Sequence, residues 1–217
     1  MLTIKDLFDL DHTIAADYLS RFTYPWEALA GIKDFILSVG PTLEGYDEVS
    51  PQVWVHKTAT VAPTAYLGSP CIIGPETEVR HCAFIRGNAI VGAGAVVGNS
   101  TELKNVILFD RVQVPHYNYV GDSVLGFKSH MGAGSITSNV KSDKTLVTVA
   151  AEGGRLETGL KKFGAMLGDE VEVGCGSVLN PGTIIGRDSQ VYPLSSVRGV
   201  VKARHIVKGA RGAFTKD

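Results

Sequence analysis

At 217 residues, with 21 basic against 22 acidic side chains and a formal charge of −1, the chain has room for one domain and a small appendage. No run of like charge interrupts it, which disfavours a general nucleic-acid or anionic-membrane surface, so any basic site must be local. No apolar run approaches the ~18 residues that span a bilayer, and the start MLTIKDLFDL lacks a basic n-region; a soluble cytoplasmic protein is expected. The three cysteines, Cys71, Cys82 and Cys175, are scattered through the chain and read as small buried thiols rather than disulfides or a zinc site.

Residues 1–50 are expected to form an N-terminal helical segment. Ile14, Tyr18 and Phe22 fall four apart, and after Pro25 the set Trp26, Leu29, Ile32 and Ile36 keeps helical spacing up to Gly40, which predicts two amphipathic helices. FDLDHTI, Phe8 to Ile14, resembles the opening motif of haloacid-dehalogenase-type phosphatases, but the sheet and further loops that chemistry needs have no room here. Asp11 or Thr13 is read instead as a helix N-cap.

From Val55 the period changes to six: Val55, Val61, Leu67, Ile73, Val79, Ile85, Val91, Val97 and Leu103. Four residues after each of the first eight stands a small one, Ala59, Ala65, Cys71, Thr77, Ala83, Ala89, Ala95 and Thr101. No single helix or strand has that period, so it marks an internal repeat. Three hexads make a triangular coil with one short strand per face, and coils stack at ~4.8 Å. The pattern resembles the hexapeptide repeat of left-handed parallel β-helices, which makes the fold class all-β, with the helix expected over residues 51–205. The hexad shortens to five residues twice, from Leu103 to Leu108 and from Val120 to Leu125. At about residues 140–162 the repeat vanishes, and alternation on either side of Glu152-Gly153-Gly154 predicts a hairpin protruding from one corner. Two closing coils run from Leu167 to about Val200, and residues 206–217 form a tail that is either a cap or a frayed end.

Counting in coils places Ile85, Leu103, Val120 and Thr137 in one column, so residues beside them line one edge. Arg86 and Lys104 each follow a column residue, which puts two cations about one strand spacing, ~5 Å, apart. A bridging phosphate or carboxylate would relieve their repulsion. Tyr119 and Asn139 flank the same column, and His116 lies on the approach to it.

Residues 98–140, GNSTELKNVILFDRVQVPHYNYVGDSVLGFKSHMGAGSITSNV, contain H-x-x-Y-[LIV]-G-D at His116 to Asp122 and G-A-G-[ST]-I-T at Gly132 to Thr137. This segment, with both shortened hexads, resembles the acetyltransferase domain of the bifunctional uridyltransferase/acetyltransferases that make UDP-N-acetylglucosamine. The archaeal members also share T-G-x-x-K-x-G at Thr158 to Gly164, so the resemblance covers roughly residues 51–200. It implies a homotrimer with active sites between neighbouring prisms, each binding acetyl-CoA as co-substrate and a phosphorylated amino sugar. It also implies that His116 is the general base, and a histidine suits the removal of a proton from an attacking amine. By the same resemblance Arg86 and Lys104 match phosphate ligands, Tyr119, Asn139 and approximately Lys144 match further acceptor ligands, and Ala133 borders the coenzyme.

Four positions depart from the bacterial pattern. His130 stands for a sugar-touching asparagine, Val140 for a tyrosine, Cys175 for a serine near the coenzyme and Pro193 for a small residue there. His130 is therefore counted with the acceptor ligands and Cys175 and Pro193 with the coenzyme-lining residues, and the acceptor need not be glucosamine 1-phosphate. The family's nucleotidyltransferase half would have to fit into some 45 residues that carry no Gly-rich nucleotide loop. The expected activity is transfer of an acetyl group from acetyl-CoA to an amino-sugar phosphate or nucleotide-sugar. The alternative is a non-catalytic sugar-phosphate-binding or scaffolding subunit that partners a nucleotidyltransferase. A metal site collected from His56, His81, His116 and His130 is set aside for want of closely spaced histidines.

Overall fold

Successive residues of a strand point to opposite sides, and here three short strands per turn stack into a triangular parallel β-helix of about eight turns. The computed structural model describes residues 3–151, 154–209 and 213–215. The first face carries Val53–His56, Cys71–Ile73, Ala89–Val91, Ala165–Leu167, Thr183–Ile185 and Val200–Val201. The second is the nine-stranded sheet that runs from Thr60–Val61 through Gln113–His116 and His205–Val207 to Ala213–Thr215. The third includes Tyr66–Leu67, Phe84–Ile85, Ile136–Thr137, Val178–Leu179 and Ser196–Val197. The six-residue column points inward and is buried, from Ile73 and Val79 through Ile85 to Leu103 and Val120.

The two shortened hexads have a direct structural consequence. With one residue fewer at the corner, Glu102–Leu108 and Tyr119–Leu125 run as continuous strands from the third face onto the first. Asn105 (φ 55) and Asp122 (φ 49) take the bend, and these are the residue types that tolerate the left-handed region best after glycine. The bend turns both side chains into one another's reach.

Outward positions on the first face are apolar too: Ile72, Ile90, Ile107, Val124, Met166 and Ile184 are all fully buried. The N-terminal segment covers them. Ile32–Val39 packs on Ala89–Val91 and Glu102–Leu108, and the preceding 3-10 turn Pro25–Gly31 packs on Tyr119–Leu125. Gly40 permits this approach, because a Cβ there would stand 2.4 Å from the Trp54 ring. Asp169 staples the start of the chain: its carboxylate accepts from the Asp9 and Phe127 N–H groups at 2.7 and 2.9 Å. Trp26 is almost fully buried between Tyr24, stacked at 4.6 Å, and Phe163 at 5.8 Å. Trp26→Ala is expected to cost about 3–5 kcal/mol, read as a shift of the urea midpoint; a change within about 0.5 kcal/mol, the usual range for a surface substitution, would mean that the segment is not part of the cooperative unit.

Several expectations need correcting. Only the second N-terminal helix forms at length; the first is a single turn, Ala16–Leu19, with Ile14 exposed, since four residues hold too few hydrogen bonds to extend on their own. An earlier turn, Ile4–Leu7, is closed by a capping box between Thr3 and Asp6, a T-x-x-D signal readable in the sequence. Asp9, rather than Asp11, caps the next 3-10 turn, and Thr13 only accepts from Ala15 N–H without capping the helix. Cys71 is buried, which pushes its thiol up to about 12, but Cys82 and Cys175 sit at corners and are exposed. The insertion does contain a hairpin, Thr148–Ala151 with Gly154–Glu157, whose tip at Glu152 and Gly153 lies outside the described residues. Its foot does not protrude: Val147, Val149 and Phe163 are fully buried. A further partial coil follows Val200, and the antiparallel strand Ala213–Thr215 closes it on His205–Val207.

Candidate active site

The two long edges of the third face carry the candidate residues. On the edge shared with the second face, register places Asn99 beside His116. The pairing of Gln113, His130, Glu172 and Gln190 then sets Ala133, Cys175 and Pro193, each three residues further on, below His116 in successive coils. Gly134 N–H donates to the His116 carbonyl (3.0 Å), Gly176 to Ala133 (2.9 Å) and Leu194 to Cys175 (2.9 Å). The base candidate and the coenzyme-lining candidates thus form one column. Ala133, Cys175 and Pro193 are all exposed.

His116 is held by its backbone and exposed by its side chain. Its N–H donates to Asn118 Oδ1 at 3.1 Å, while Asn118 Nδ2 donates to the carbonyls of Gly132 and Ser135 in the next coil at 2.9 and 3.1 Å. Asn118 is buried, and burying an amide requires such partners. Sequence reasoning passed over Asn118; a polar residue at an inward position of the repeat was the available signal.

The other edge begins with Arg86 and Lys104, which follow the paired residues Ile85 and Leu103. The expected proximity is there, but the chain relieves it with its own carboxylates. Arg86 Nη1 lies 2.9 Å from Glu102 Oε1, and Lys104 Nζ lies 2.9 Å from Asp122 Oδ1. The first pair is exposed, and such pairs exchange easily for water or ligand. The second is different, because the Asp122 side chain is 5% exposed. Besides Lys104, its carboxylate accepts from Asn105 Nδ2 (3.1 Å) and Asn139 Nδ2 (2.6 Å). Asn105 Nδ2 also reaches the Leu29 carbonyl at 3.2 Å, which braces this corner against the N-terminal cover.

Asn139 Nδ2 also donates to the Tyr119 hydroxyl at 3.1 Å, and burial raises the Tyr119 phenol above its ordinary value. Gly121 makes room for this arrangement, since a Cβ there would meet the Tyr119 hydroxyl at 2.5 Å and Asn139 Nδ2 at 2.9 Å. Lys104, Tyr119, Asn139 and Asp122 therefore form one connected polar cluster. Two residues, Tyr117 (φ 52) and Asn118, carry the chain round the corner from His116 to Tyr119.

Two candidates lie elsewhere in a single chain. His130 faces out from the second face, with Nδ1 2.8 Å from Glu172 Oε2. Lys144 is exposed on the turn that starts at Lys141, where its N–H bonds the Lys141 carbonyl.

Fold and edge define a hexapeptide-repeat β-helix protein whose polar residues are gathered along one face. Over residues 69–186 the sequence matches the family described as the GMPPB C-terminal domain. The chain belongs to that family. It is 34% identical over 91 residues to the bifunctional sugar-1-phosphate nucleotidylyltransferase/acetyltransferase of Sulfurisphaera tokodaii, covering 42% of this chain and 23% of that protein. It is 30% identical over 178 residues to the bifunctional protein GlmU of Methanococcus maripaludis, covering 80% of this chain and 43% of that one. The chain thus spans less than half the length of these relatives. Among solved structures, a hexapeptide transferase family protein from Anaplasma phagocytophilum superposes with a TM-score of 0.47 at 18% identity, covering 70% of each chain. No helix among the described residues is long and apolar enough to cross a membrane.

Proposed function

We propose that the protein transfers an acetyl group from acetyl-CoA to an amino sugar that carries a phosphate or a nucleotide. The observation that carries this reading is the single column of His116 with Ala133, Cys175 and Pro193, set across the third face from Arg86 and Lys104. The acyl thioester would lie along the column and the acceptor across the face. His116 takes the proton as the amine attacks the thioester carbonyl, the C–N bond forms, the C–S bond breaks and the thiol of CoA leaves. Arg86 and Lys104 hold the phosphate, and Tyr119 and Asn139 orient the sugar. His130 and Lys144 join the site from a neighbouring copy in a homotrimer. Tyr66 and Phe84, adjacent on the third face with ring centroids 5.5 Å apart and both exposed, give that packing an apolar contact. The name of the Sulfurisphaera tokodaii relative, a bifunctional sugar-1-phosphate nucleotidylyltransferase/acetyltransferase, supports the substrate class.

One observation favours the rival reading of a non-catalytic scaffolding subunit: both cations are already paired with the chain's own carboxylates. An acetyl-CoA turnover screen across amino-sugar phosphates and nucleotide-sugars separates the two, and absence of turnover with every acceptor would remove the enzyme reading. In the same assay Arg86→Ala is expected to weaken binding of the phosphorylated acceptor about tenfold or more, through loss of a charge-assisted hydrogen bond, with CoA affinity unchanged. Equal impairment of an acceptor lacking the phosphate would dismiss the phosphate role. Lys104→Ala is the poorer probe, because it also strands the buried Asp122.

A further inference from the structure

The outward column that starts at Arg86 and Lys104 continues down the same edge through Gly121, Ser138 and Asn180 to Arg198, one residue after each paired core position. Lys104 and Arg198 are four coils apart, about 19 Å at the inter-strand spacing of ~4.8 Å. No single phosphate touches both.

Around Arg198 the insertion folds back on the prism. Thr158 Oγ1 donates to the Val147 carbonyl at 2.6 Å, and Gly182 N–H donates to the Phe163 carbonyl at 3.1 Å; with Val147 and Val149 buried, the foot of the hairpin is fixed. Two adjoining cavities of about 260 and 90 Å³ result, and Lys141, Pro181 and Arg198 wall both of them. Arg155, carried by the hairpin, closes the smaller. Three cations therefore converge from three separate segments: the turn after Asn139, the hairpin and the penultimate coil.

Among the described residues one carboxylate lines these cavities. Asp143 lines the larger cavity, but it is turned to the Thr145 N–H and hydroxyl at 3.0 and 2.8 Å and stands 3.5 Å from Lys141. Arg198 donates to Asn180 Oδ1 at 3.3 Å, and neither Arg198 nor Arg155 has a carboxylate partner among the described residues. Elsewhere on this edge Arg86 and Lys104 are each answered by a carboxylate; here the described lining holds three cations against one carboxylate in a concave site. Guanidinium groups offer paired N–H donors that match phosphate oxygens, and a pocket walled by one sign of charge concentrates anions.

We propose that Lys141, Arg155 and Arg198 form a second anion site, distinct from the Arg86–Lys104 pair, which takes the phosphate or diphosphate of a nucleotide. Two molecules present that chemistry: the nucleotide end of CoA and a nucleotide-activated sugar. The inference does not depend on acyl transfer, since its readout is binding.

The test is calorimetric titration of inorganic pyrophosphate at low ionic strength into the full chain carrying Arg86→Ala, which removes a ligand of the first phosphate site, and into the same chain with Arg155→Ala/Arg198→Ala added, the double variant. The expected result is binding to Arg86→Ala and a loss of about tenfold or more in the double variant. No binding to Arg86→Ala at millimolar pyrophosphate, or a double variant within about twofold of it, would overturn the proposal. Both arginines are exposed, so the double variant is expected to fold; Arg155→Gln and Arg198→Gln, tested singly, serve if it does not. CoA and uridine diphosphate are then titrated into the same proteins. Weakening of either or both in the double variant identifies the source of the nucleotide, and weakening of neither overturns the nucleotide assignment.

Discussion

Replacing His116 with alanine is expected to lower acyl transfer by about 10²- to 10⁴-fold, the usual contribution of a positioned general base, and to leave the fold unchanged. The second half follows from its place in the repeat. The His116 side chain is exposed, and the bonds that hold the corner run through its backbone to Asn118 and Gly134, which alanine retains. The loss should fall in kcat for acceptor and coenzyme alike, because a proton acceptor acts in the transition state and contributes little to binding either substrate. A variant that kept more than about half the wild-type rate would show that the amine is deprotonated elsewhere, and the column would then be read as a binding surface alone.

The second large effect falls on stability. Asp122→Ala is expected to cost about 3–5 kcal/mol, because removing one partner of a buried ion pair leaves the other uncompensated. Lys104, Asn105 and Asn139 all donate to this carboxylate, and the Lys104 side chain is only 25% exposed. Removing Lys104 together with Asp122, with apolar side chains in their places, should cost less than the sum of the two single changes. Guanidinium denaturation of the four proteins in the cycle gives the coupling. A cost below about 1 kcal/mol for Asp122→Ala would place the pair with ordinary surface ion pairs and would remove the claim that it braces Lys104, Asn139 and, through Asn139, Tyr119. The surviving protein should also bind a phosphorylated acceptor less well, since the groups that Asp122 positions are the ones assigned to it.

The departure from expectation at this edge is instructive. Arg86 and Lys104 were placed side by side by counting alone, and register confirms the placement. Their carboxylates were not foreseen. Glu102 is next to Leu103 in sequence yet reaches Arg86 of the coil above, and Asp122 is 18 residues from Lys104. Both belong to the same edge by the same arithmetic, so they were legible in principle. What obscured Asp122 was its bend: a shortened hexad moves the corner by one residue, and only the φ of 49° turns the carboxylate toward Lys104. The cysteines failed for a related reason. Membership of the repeat does not bury a residue; position within the hexad does, and Cys82 and Cys175 are corner residues.

The repeat read from the sequence laid out the solenoid, its columns and the adjacency of Arg86 and Lys104, whereas the stacking of His116 above Ala133, Cys175 and Pro193 emerged from strand register. A fixed period converts residue number into height and face without knowledge of any contact, because each coil is built on the one before. It also revealed the insertion, where the period stops. The tertiary structure alone decided what covers the first face, how the foot of the hairpin packs and which charges are neutralised. Those outcomes rest on contacts such as Leu29 with Asn105, Asp9 with Asp169 and Phe163 with Gly182, each between segments that follow no common period. The N-terminal segment buries the first face because Ile32 and Ile36 are buried on the helix that packs on Ala89–Val91 and Glu102–Leu108, and the hairpin folds back because Val147 and Val149 bury their side chains. Apolar burial is non-directional, so the pattern of hydrophobic residues showed that these segments must pack, and only the assembled shape selected where.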